Sequence, residues 1–316
     1  MAIIGTDIHQ AAQLLQNEVI GIPTETVYGL AGNAYNADLV ARIFDVKQRP
    51  TFDPLIVHTS SIERISDFAQ SIPDALMPLA EKFWPGPLTL LVERIAKIPD
   101  LVSSGLPHVA VRIPNHPLTL QLLDQLEFPL AAPSANPFGY VSPTTAQHVN
   151  DQLGDKIPFI LDGGACQVGL ESTIVGLIDG VITVFRLGGL SLESIEGVVG
   201  KVQVRSHSSN PQAPGMLDSH YSPRKKVLLG IIPELLKNHR DQSPVLIRFS
   251  SLLSEYPEAL QLVLSPKASV SEAAINLFKY LRLADQFGTS LILAELVPEI
   301  GLGRAINDRL KRAAFH

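Results

Sequence analysis

The chain has 316 residues, of which 46% are apolar and 18% charged, and its formal net charge is −6. This length exceeds what one hydrophobic core usually organises, so two domains are expected, and the single cysteine, Cys166, excludes an internal disulfide and a cysteine-built metal site. The apolar runs are too short to span a membrane and the N-terminus lacks the pattern of a secretory signal, so we expect a cytoplasmic protein without a membrane segment.

Charge is distributed unevenly along the chain. Residues 1–205 hold 12 Lys/Arg against 21 Asp/Glu, a net of −9, whereas residues 206–316 hold 13 against 10, a net of +3. Non-specific binding of nucleic acid depends on many cations that neutralise phosphates. We therefore expect no stable nucleic-acid binding by the first part, although a few well-placed cations are enough to hold a nucleotide.

The first two hundred residues alternate short apolar runs with helical patterns. Leu39, Val40, Ile43 and Phe44 have the spacing of one buried helix face, which predicts a helix over 36–46. A further helix is predicted over 74–83, and strands are predicted over 18–23, 54–58, 88–92, 109–114, 129–133, 159–164, 172–175 and 181–186. Strands this apolar are usually covered on both faces, which favours a layered α/β domain.

A polar stretch separates these elements from a second alternation. Residues 206–215 are rich in turn formers and predict the start of a linker over 206–224. A smaller α/β domain is then predicted over 225–316, with strands over 226–232, 245–249 and 290–295 and helices over 271–287 and 303–314. Ser269, followed three residues later by Glu272, predicts a capping box at the start of the first of these helices.

Two basic residues, Lys47 and Arg49, follow the hydroxyl-rich turn at residues 23–29. Two interpretations of the pair stay open. Cations at the end of a helix stabilise its C-terminus without any ligand, whereas the same cations beside a polar turn would suit a phosphate. The turn itself is equally ambiguous, because its threonines either bond their own backbone or contact a ligand.

Further candidates stand at the ends of the predicted strands. Arg112 and Arg186 interrupt apolar strands, where a buried arginine needs either an internal carboxylate or an anionic ligand. His58 ends another strand, a position more typical of a structural hydrogen-bond partner. Ser134 lacks the surrounding G-x-S-x-G of a hydrolase, and the sequence contains neither a P-loop nor a dinucleotide-binding motif. Cations and hydroxyls without an acid/base pair indicate a site for a nucleotide and a small polar acid.

Nine motifs in the first part of the chain carry a resemblance to a known family. They are PTETVYGL at 23–30, KQRP at 47–50, PLIVH at 54–58, PGPLT at 85–89, VAVRIP at 109–114, APSAN at 132–136, SPTT at 142–145, ESTIV at 171–175 and RLGG at 186–189. In this order they resemble the threonylcarbamoyl-AMP synthases, the YrdC-like family. The runs APGM at 213–216 and HYSP at 220–223, with residues 273–314, are similar to the linker and C-terminal domain of its long form.

The resemblance implies a fold and a reaction. The fold is a twisted open α/β sheet with a concave active site, joined to a smaller Rossmann-like C-terminal domain. The reaction converts ATP, L-threonine and bicarbonate into threonylcarbamoyl-AMP and pyrophosphate, with Mg²⁺ on the ATP and neither an organic cofactor nor a protein-bound metal site. The product passes to the machinery that forms N6-threonylcarbamoyladenosine at position 37 of tRNA.

The resemblance also implies residue roles. Catalytic roles fall on Lys47 and Arg49. L-Threonine would contact Thr26, His58, Arg112, Ala132 and Ser172. ATP would contact Arg49, Asp53, His108, Ser134, Ser142, Arg186 and Tyr221, the last folding over the occupied pocket. Two positions depart from the family pattern: Asp53 stands where Asn or Ser is usual, and the residues before His220-Tyr221 lack the usual basic charge.

Two other functions compete with the synthase. A concave sheet of this kind would also suit a non-catalytic RNA-binding module, against which the net charge of −9 over residues 1–205 argues. Carbamoyl transfer in a metalloenzyme maturation factor is the third hypothesis. It requires additional domains and cysteines that this sequence lacks.

Overall fold

The computed structural model describes residues 1–205, 213–214 and 221–315. In this part of the chain, eleven strands between residues 3 and 204 form one twisted sheet, and four between residues 226 and 294 form another. The fold is therefore α/β with a large open sheet and a smaller second domain, as predicted. The predicted linker over 206–224 falls between the two sheets, and its residues 206–212 and 215–220 lie outside the described residues.

The first sheet mixes parallel and antiparallel strands. Its strands are β1 (Ile3–Gly5), β2 (Ile20–Ile22), β3 (Gly29–Asn33), β4 (Ile56–His58), β5 (Leu88–Glu93), β6 (His108–Arg112), β7 (Leu130–Ala131), β8 (Phe159–Leu161), β9 (Thr173–Ile178), β10 (Val181–Arg186) and β11 (Gln203–Val204). They lie in the order β1-β8-β2-β3-β7-β4-β6-β5-β9-β10-β11. Because β4 and β6 are parallel neighbours with His58 opposite Arg112, these two polar residues end at the same edge.

Seven helices accompany this sheet within the described residues. They are α1 (Ile8–Leu14), α2 (Ala37–Lys47), α3 (Met77–Phe83), α4 (Asp100–Ser103), α5 (Pro117–Gln125), α6 (Ala146–Leu153) and α7 (Leu192–Val199). None of the helices in the described part of the chain is long and apolar enough to cross a membrane.

Helix α2 delivers the two basic residues to the site. Asn36 caps its N-terminus by accepting hydrogen bonds from the backbone N–H groups of Asp38 and Leu39. The helix ends at Gln48, whose φ of +54° lies in the left-handed region. This reversal of the backbone directs Lys47 and Arg49 to different surroundings.

The second domain is a small parallel sheet with three helices in its described residues. Its strands are β12 (Lys226–Leu229), β13 (Val245–Arg248), β14 (Gln261–Val263) and β15 (Leu291–Ala294), and its helices are α8 (Ile232–His239), α9 (Val270–Gln286) and α10 (Gly303–Ala313). All neighbours in the order β12-β15-β13-β14 are parallel. This arrangement agrees with the predicted Rossmann-like domain.

Several element predictions need correction. The strand predicted over 226–232 ends at Leu229, because Pro233 occupies the first turn of α8 and continues the chain as a helix. Gly29, predicted as the last residue of a turn, begins β3. Helices α1, α5, α6 and α7 were not predicted. They have seven to nine residues each, which offers too few turns for a clear helical period.

The capping box at α9 is only half formed. The Ser269 hydroxyl accepts the Glu272 backbone N–H at 3.3 Å, as predicted. The Glu272 carboxylate instead accepts the Ser265 hydroxyl, and Ser265 also accepts the Ser269 N–H. Ser265 therefore lies between the Ser269 N–H and the Glu272 carboxylate, in place of the direct hydrogen bond of a complete capping box.

The two domains share buried contacts. Arg282 of α9 donates to the carbonyls of Val141 and Ser142, and Tyr140 donates to Asp285 at 2.8 Å. Tyr221 belongs to the apolar cluster of the second domain. The second domain is therefore attached to the loop at 140–142, next to the residues described below.

Candidate active site

One cavity collects most of the residues predicted from the sequence. It is lined by Thr24, Thr26, Val27, Gly29, Arg49, Pro54, Ile56, His58, Arg112, Ala132, Pro133, Ser134, Glu171, Ser172, Arg186, Pro214 and Tyr221. Nine predicted site residues are in this set: Thr26, Arg49, His58, Arg112, Ala132, Ser134, Ser172, Arg186 and Tyr221. Four others, Lys47, Asp53, His108 and Ser142, are outside it.

Arg112 has the internal carboxylate partner that was considered for a buried arginine, and it also lines the cavity. Its guanidinium contacts the Glu25 carboxylate at 2.7 Å and donates to the Thr26 hydroxyl at 2.8 Å and to the Gly86 carbonyl at 3.2 Å. Arg112 and Glu25 are both buried. The internal carboxylate compensates the buried charge, which confirms the first alternative, and the side chain also lines the cavity, where an anionic ligand stays a prediction.

Arg49 is held in place by the loop that follows it. It donates to the backbone carbonyls of Asp53 at 2.9 Å and Pro54 at 2.8 Å, and its guanidinium lies 2.9 Å from the Asp53 carboxylate. The Asp53 side chain is fully buried and does not line the cavity. The structure places the Asp53 carboxylate next to Arg49 as its ion-pair partner, and the expected contact of Asp53 with ATP stays a prediction.

Lys47 lies behind the cavity and supports one of its walls. Its Nζ donates to the carbonyls of Ser134 and Asn136, both at 2.5 Å, and the residue is 1% exposed. Burial and the nearby Arg49 lower the pKa of Lys47 well below its usual range. Lys47 positions the segment that carries Ser134, and its predicted catalytic role beside Arg49 stays a prediction.

Arg186 and Ser172 form a second polar wall. Arg186 donates to the Ser172 carbonyl and hydroxyl, both at 3.0 Å, and to the Pro214 carbonyl at 3.3 Å. The Ser172 hydroxyl also lies 2.7 Å from that of Thr89. Burial lowers the pKa of Arg186 to about 10. Arg186 is thus a desolvated cation whose described contacts are mainly neutral oxygens.

The polar turn bonds its own backbone and also faces the cavity. The Thr24 hydroxyl donates to the Val27 carbonyl at 2.6 Å and accepts the N–H groups of Thr26 and Val27, both at 3.2 Å. It lies 2.8 Å from the Thr26 hydroxyl, which in turn accepts from Arg112. Thr24 therefore fixes the turn, and Thr26 is presented to the cavity beside Arg112.

His58 lines the cavity as a neutral side chain. It is 3% exposed, and its Nδ1 has no hydrogen-bond partner among the described residues. Burial, with repulsion from Arg112, lowers the pKa of His58 to about 3. A neutral imidazole with an unsatisfied buried nitrogen is suited to a hydrogen bond with a ligand, not to carrying charge.

This pKa predicts a flat titration of His58 in the folded protein. The unfolded chain, with a pKa near 6.5, binds the proton more readily, so the contribution of His58 to the free energy of unfolding falls as pH decreases from 6.5 towards 3. We expect the imidazole NMR signals of His58, identified with a His58→Gln variant, to stay constant between pH 5 and 8. A midpoint near pH 6.5 would contradict this burial.

Ser142 and Glu171 connect the site to the second domain. The Ser142 hydroxyl donates to one Glu171 carboxylate oxygen at 2.6 Å, and Arg309 of α10 donates to the other at 3.0 Å. Glu171 lines the cavity, whereas Ser142 lies one contact behind it. The predicted contact of Ser142 with ATP thus requires that the hydroxyl reach past this carboxylate.

Tyr221 closes the cavity from the side of the second domain. Its ring stacks on Phe278 with centroids 5.5 Å apart, and the Arg309 guanidinium lies 4.8 Å above it. The backbone of Tyr221 has a φ of +65°, which an L-residue rarely adopts without support from its surroundings. Tyr221 thus lines the cavity, and its predicted folding over the occupied pocket stays a prediction.

His108 is remote from the cavity. It begins β6, whereas Arg112 ends it, which separates the two by about 13 Å at the usual rise of a strand. His108 lines a separate cleft with Leu91 and Phe185. Ala213 belongs to the same apolar cluster as these two residues. A contact between His108 and the nucleotide stays a prediction, and it requires a ligand that extends along this face.

Sequence reasoning missed three residues that organise the site. Glu25 and Glu171 stand inside the family motifs as acidic residues beside hydroxyls, and the need of the interrupting Arg112 for a carboxylate was a usable signal for Glu25. Arg309 is fully buried and meets Glu171 across 138 residues of sequence. No local pattern indicates that contact.

Comparison with known proteins gives consistent matches over the whole length. The family model described as "Telomere recombination" (Sua5, YciO and YrdC) matches residues 12–188, and that of the threonylcarbamoyl-AMP synthase C-terminal domain matches 190–315. Threonylcarbamoyl-AMP synthase of Pyrococcus abyssi is 38% identical over 96% of this chain and 92% of its own. The enzyme of Bacillus subtilis is 37% identical over 97% and 92%. The crystal structure of P. abyssi Sua5 complexed with L-threonine matches with a TM-score of 0.92 and 37% identity, covering 99% of this chain and 97% of that one.

Proposed function

The chain belongs to the threonylcarbamoyl-AMP synthase family, and from this premise we propose that it makes threonylcarbamoyl-AMP and pyrophosphate from ATP, L-threonine and bicarbonate. The observation that carries the proposal is the set of three buried arginines, Arg49, Arg112 and Arg186, around one cavity. Buried cations converging on one space suit an anionic ligand with several negative groups, such as a nucleotide beside an amino-acid carboxylate.

L-Threonine occupies the Arg112 side of the cavity. The related P. abyssi protein has been crystallised with L-threonine, which supports this substrate. The planar guanidinium of Arg112 suits a carboxylate, and its hydrogen bond to Thr26 and its ion pair with Glu25 hold it in one orientation. The Nδ1 of His58, the small side chain of Ala132 and the hydroxyl of Ser172 complete this side of the proposed site.

The triphosphate of ATP occupies the side of Arg49 and Arg186. Burial lowers the pKa of both guanidinium groups, because water no longer solvates their positive charge. A bound phosphate would supply the negative charge that stabilises them instead. Arg49 is already oriented by two carbonyls and Asp53, which limits the entropy lost on binding. Lys47 contributes indirectly by holding the segment of Ser134.

The chemistry needs positioning more than a strong base. The amino group of threonine and bicarbonate combine to a carbamate with loss of water. A carbamate oxygen then attacks the α-phosphorus, and the bond to the β-phosphate oxygen breaks to release pyrophosphate. Fixed cations next to the phosphates hold the reacting atoms in line and stabilise the charge on the leaving group.

Mg²⁺ enters with ATP as part of the substrate. Among the described residues that line the cavity, Glu171 is the one carboxylate, and its two oxygens accept from Ser142 and Arg309. The described residues contain no group of three or more potential metal-ligating side chains. The ion is therefore held mainly by phosphate oxygens and water in this proposal.

The product is a reactive acyl-adenylate that must reach an acceptor. In the family it serves the threonylcarbamoylation of tRNA, and we place this chain in the same role, as supplier to the transfer machinery. The arginines that line the cavity are buried and do not form an exposed basic surface, so nothing in the described structure favours the alternative of an RNA-binding module.

The purified protein should release pyrophosphate from ATP only when L-threonine and bicarbonate are both present. The expected product is threonylcarbamoyl-AMP, detected by mass spectrometry. Pyrophosphate release that is independent of threonine would contradict the proposal. A gel-shift titration with tRNA serves as the control, in which micromolar binding that weakens steeply with salt would instead support the RNA-binding alternative.

A further inference from the structure

Arg309 of α10 connects the second domain to the cavity through two routes. It is fully buried, it pairs with Asp308 of its own domain at 2.6 Å, and it donates to Glu171 at 3.0 Å and to the Leu187 carbonyl at 2.8 Å in the first domain. Its guanidinium also lies 4.8 Å from the Tyr221 ring. One side chain of the C-terminal domain thus contacts two residues that line the cavity.

The first route passes through Glu171. This carboxylate holds the Ser142 hydroxyl with one oxygen and Arg309 with the other, so its orientation depends on both. The next residue, Ser172, accepts the bonds of Arg186. The carboxylate without Arg309 would be a buried charge that lacks its cationic partner, which is strongly unfavourable. A rearrangement of the Glu171 side chain would displace the adjacent Ser172, whose carbonyl and hydroxyl orient Arg186.

The second route passes through Tyr221. The ring contacts Arg309 and Phe278, two residues of the second domain. Tyr221 also lines the cavity, together with residues of the first domain. The positive φ of Tyr221 is disfavoured by about 1 kcal/mol or more, so neighbouring contacts must hold it there. A cation above an aromatic ring is one such contact.

We propose that Arg309 is a positioning residue of the active site, through which the C-terminal domain orients Glu171 and Tyr221 on the nucleotide side of the cavity. The inference rests on the proposed function. Arg112 and Thr26, which would hold the threonine carboxylate, have no described contact with Arg309, and Arg309 reaches Ser172 only through Glu171, so we expect a smaller effect on threonine than on ATP. The C-terminal domain accordingly supplies part of the support of the nucleotide site.

The experiment compares steady-state pyrophosphate release of the full-length protein and its Arg309→Lys variant. Lysine keeps the charge but lacks the planar fork that spans Glu171, Asp308 and the Leu187 carbonyl. We expect the KM for ATP to rise at least tenfold while the KM for threonine stays within twofold of the wild type. Thermal unfolding of each variant shows whether the protein is folded under the assay conditions.

Arg304→Ala is the matched control. Arg304 lies on the same helix and also bridges the domains, through a partly exposed ion pair with Glu193, and neither residue lines the cavity. It should leave both KM values within twofold. Equal rises of both KM values in Arg309→Lys, an unchanged KM for ATP, or a similar shift in Arg304→Ala would each overturn the inference.

A second variant keeps the test decisive if Arg309→Lys does not fold. Glu171→Gln retains the shape of the side chain and removes the charge that Arg309 meets, so the same selective rise in the KM for ATP is expected. An unchanged KM for ATP in this variant would overturn the inference. A wild type without threonine-dependent pyrophosphate release would refute the proposed function instead, which separates the two failures.

Discussion

The Arg112→Ala variant is expected to lose threonine-dependent pyrophosphate release by about a thousandfold in kcat/KM for threonine, since it removes the proposed partner of the substrate carboxylate. The substitution also removes the guanidinium that contacts Glu25 at 2.7 Å and Thr26 at 2.8 Å. The rate is measured at saturating ATP and bicarbonate over a range of threonine concentrations. Arg112→Lys should recover part of the activity, because it restores charge without the two-pronged geometry.

Stability must be separated from binding in this variant. Removing Arg112 leaves Glu25 as a buried carboxylate without its cation, at a cost of about 3–5 kcal/mol in the free energy of unfolding. The double variant Glu25→Ala/Arg112→Ala should therefore unfold at a higher temperature than Arg112→Ala and remain inactive. Recovery of activity in the double variant would show that Arg112 serves only to neutralise Glu25.

The Arg49→Ala variant is expected to raise the KM for ATP and to lower kcat, with a loss of about a hundredfold in kcat/KM for ATP. Arg49 is a cavity-lining cation that three contacts of the following loop orient, so alanine removes both the charge and its fixed direction. ATP-dependent rates at saturating threonine measure the effect. Wild-type kinetics in a folded Arg49→Ala protein would place the phosphates elsewhere.

Asp53 provides the control for Arg49. In Asp53→Asn the backbone carbonyls of residues 53 and 54 still accept from Arg49, so the loss in kcat/KM for ATP should be much smaller than in Arg49→Ala. The double variant Arg49→Ala/Asp53→Asn should recover stability relative to Arg49→Ala, since no unpaired buried carboxylate remains, but not activity. This comparison also tests the departure at Asp53, where the acidic residue forms an ion pair with the Arg49 guanidinium.

The predictions from the sequence succeeded where the signal was local. The helix over 36–46 and the strands that carry His58, Arg112 and Arg186 were predicted within a few residues, because apolar periodicity and the polar residues at strand ends depend on neighbours in the chain. The short helices were missed. His108 lies at the other end of its strand from Arg112 and outside the lining of the cavity, so its contact with the nucleotide stays a prediction.

The sequence by itself determined the fold class, the family and the identity of most cavity residues, because motifs at the ends of apolar strands are local and ordered. Only the tertiary structure decided which of these side chains face the ligand space. Lys47 and Arg49 are two residues apart, yet the left-handed conformation of Gln48 places them in different surroundings. Lys47 contacts the Ser134 carbonyl outside the cavity, whereas Arg49 lines the cavity. The partnerships of Arg112 with Glu25 and of Arg309 with Glu171 join residues 87 and 138 positions apart. Such pairs arise because a buried charge requires a partner wherever packing brings one close, which no local pattern records.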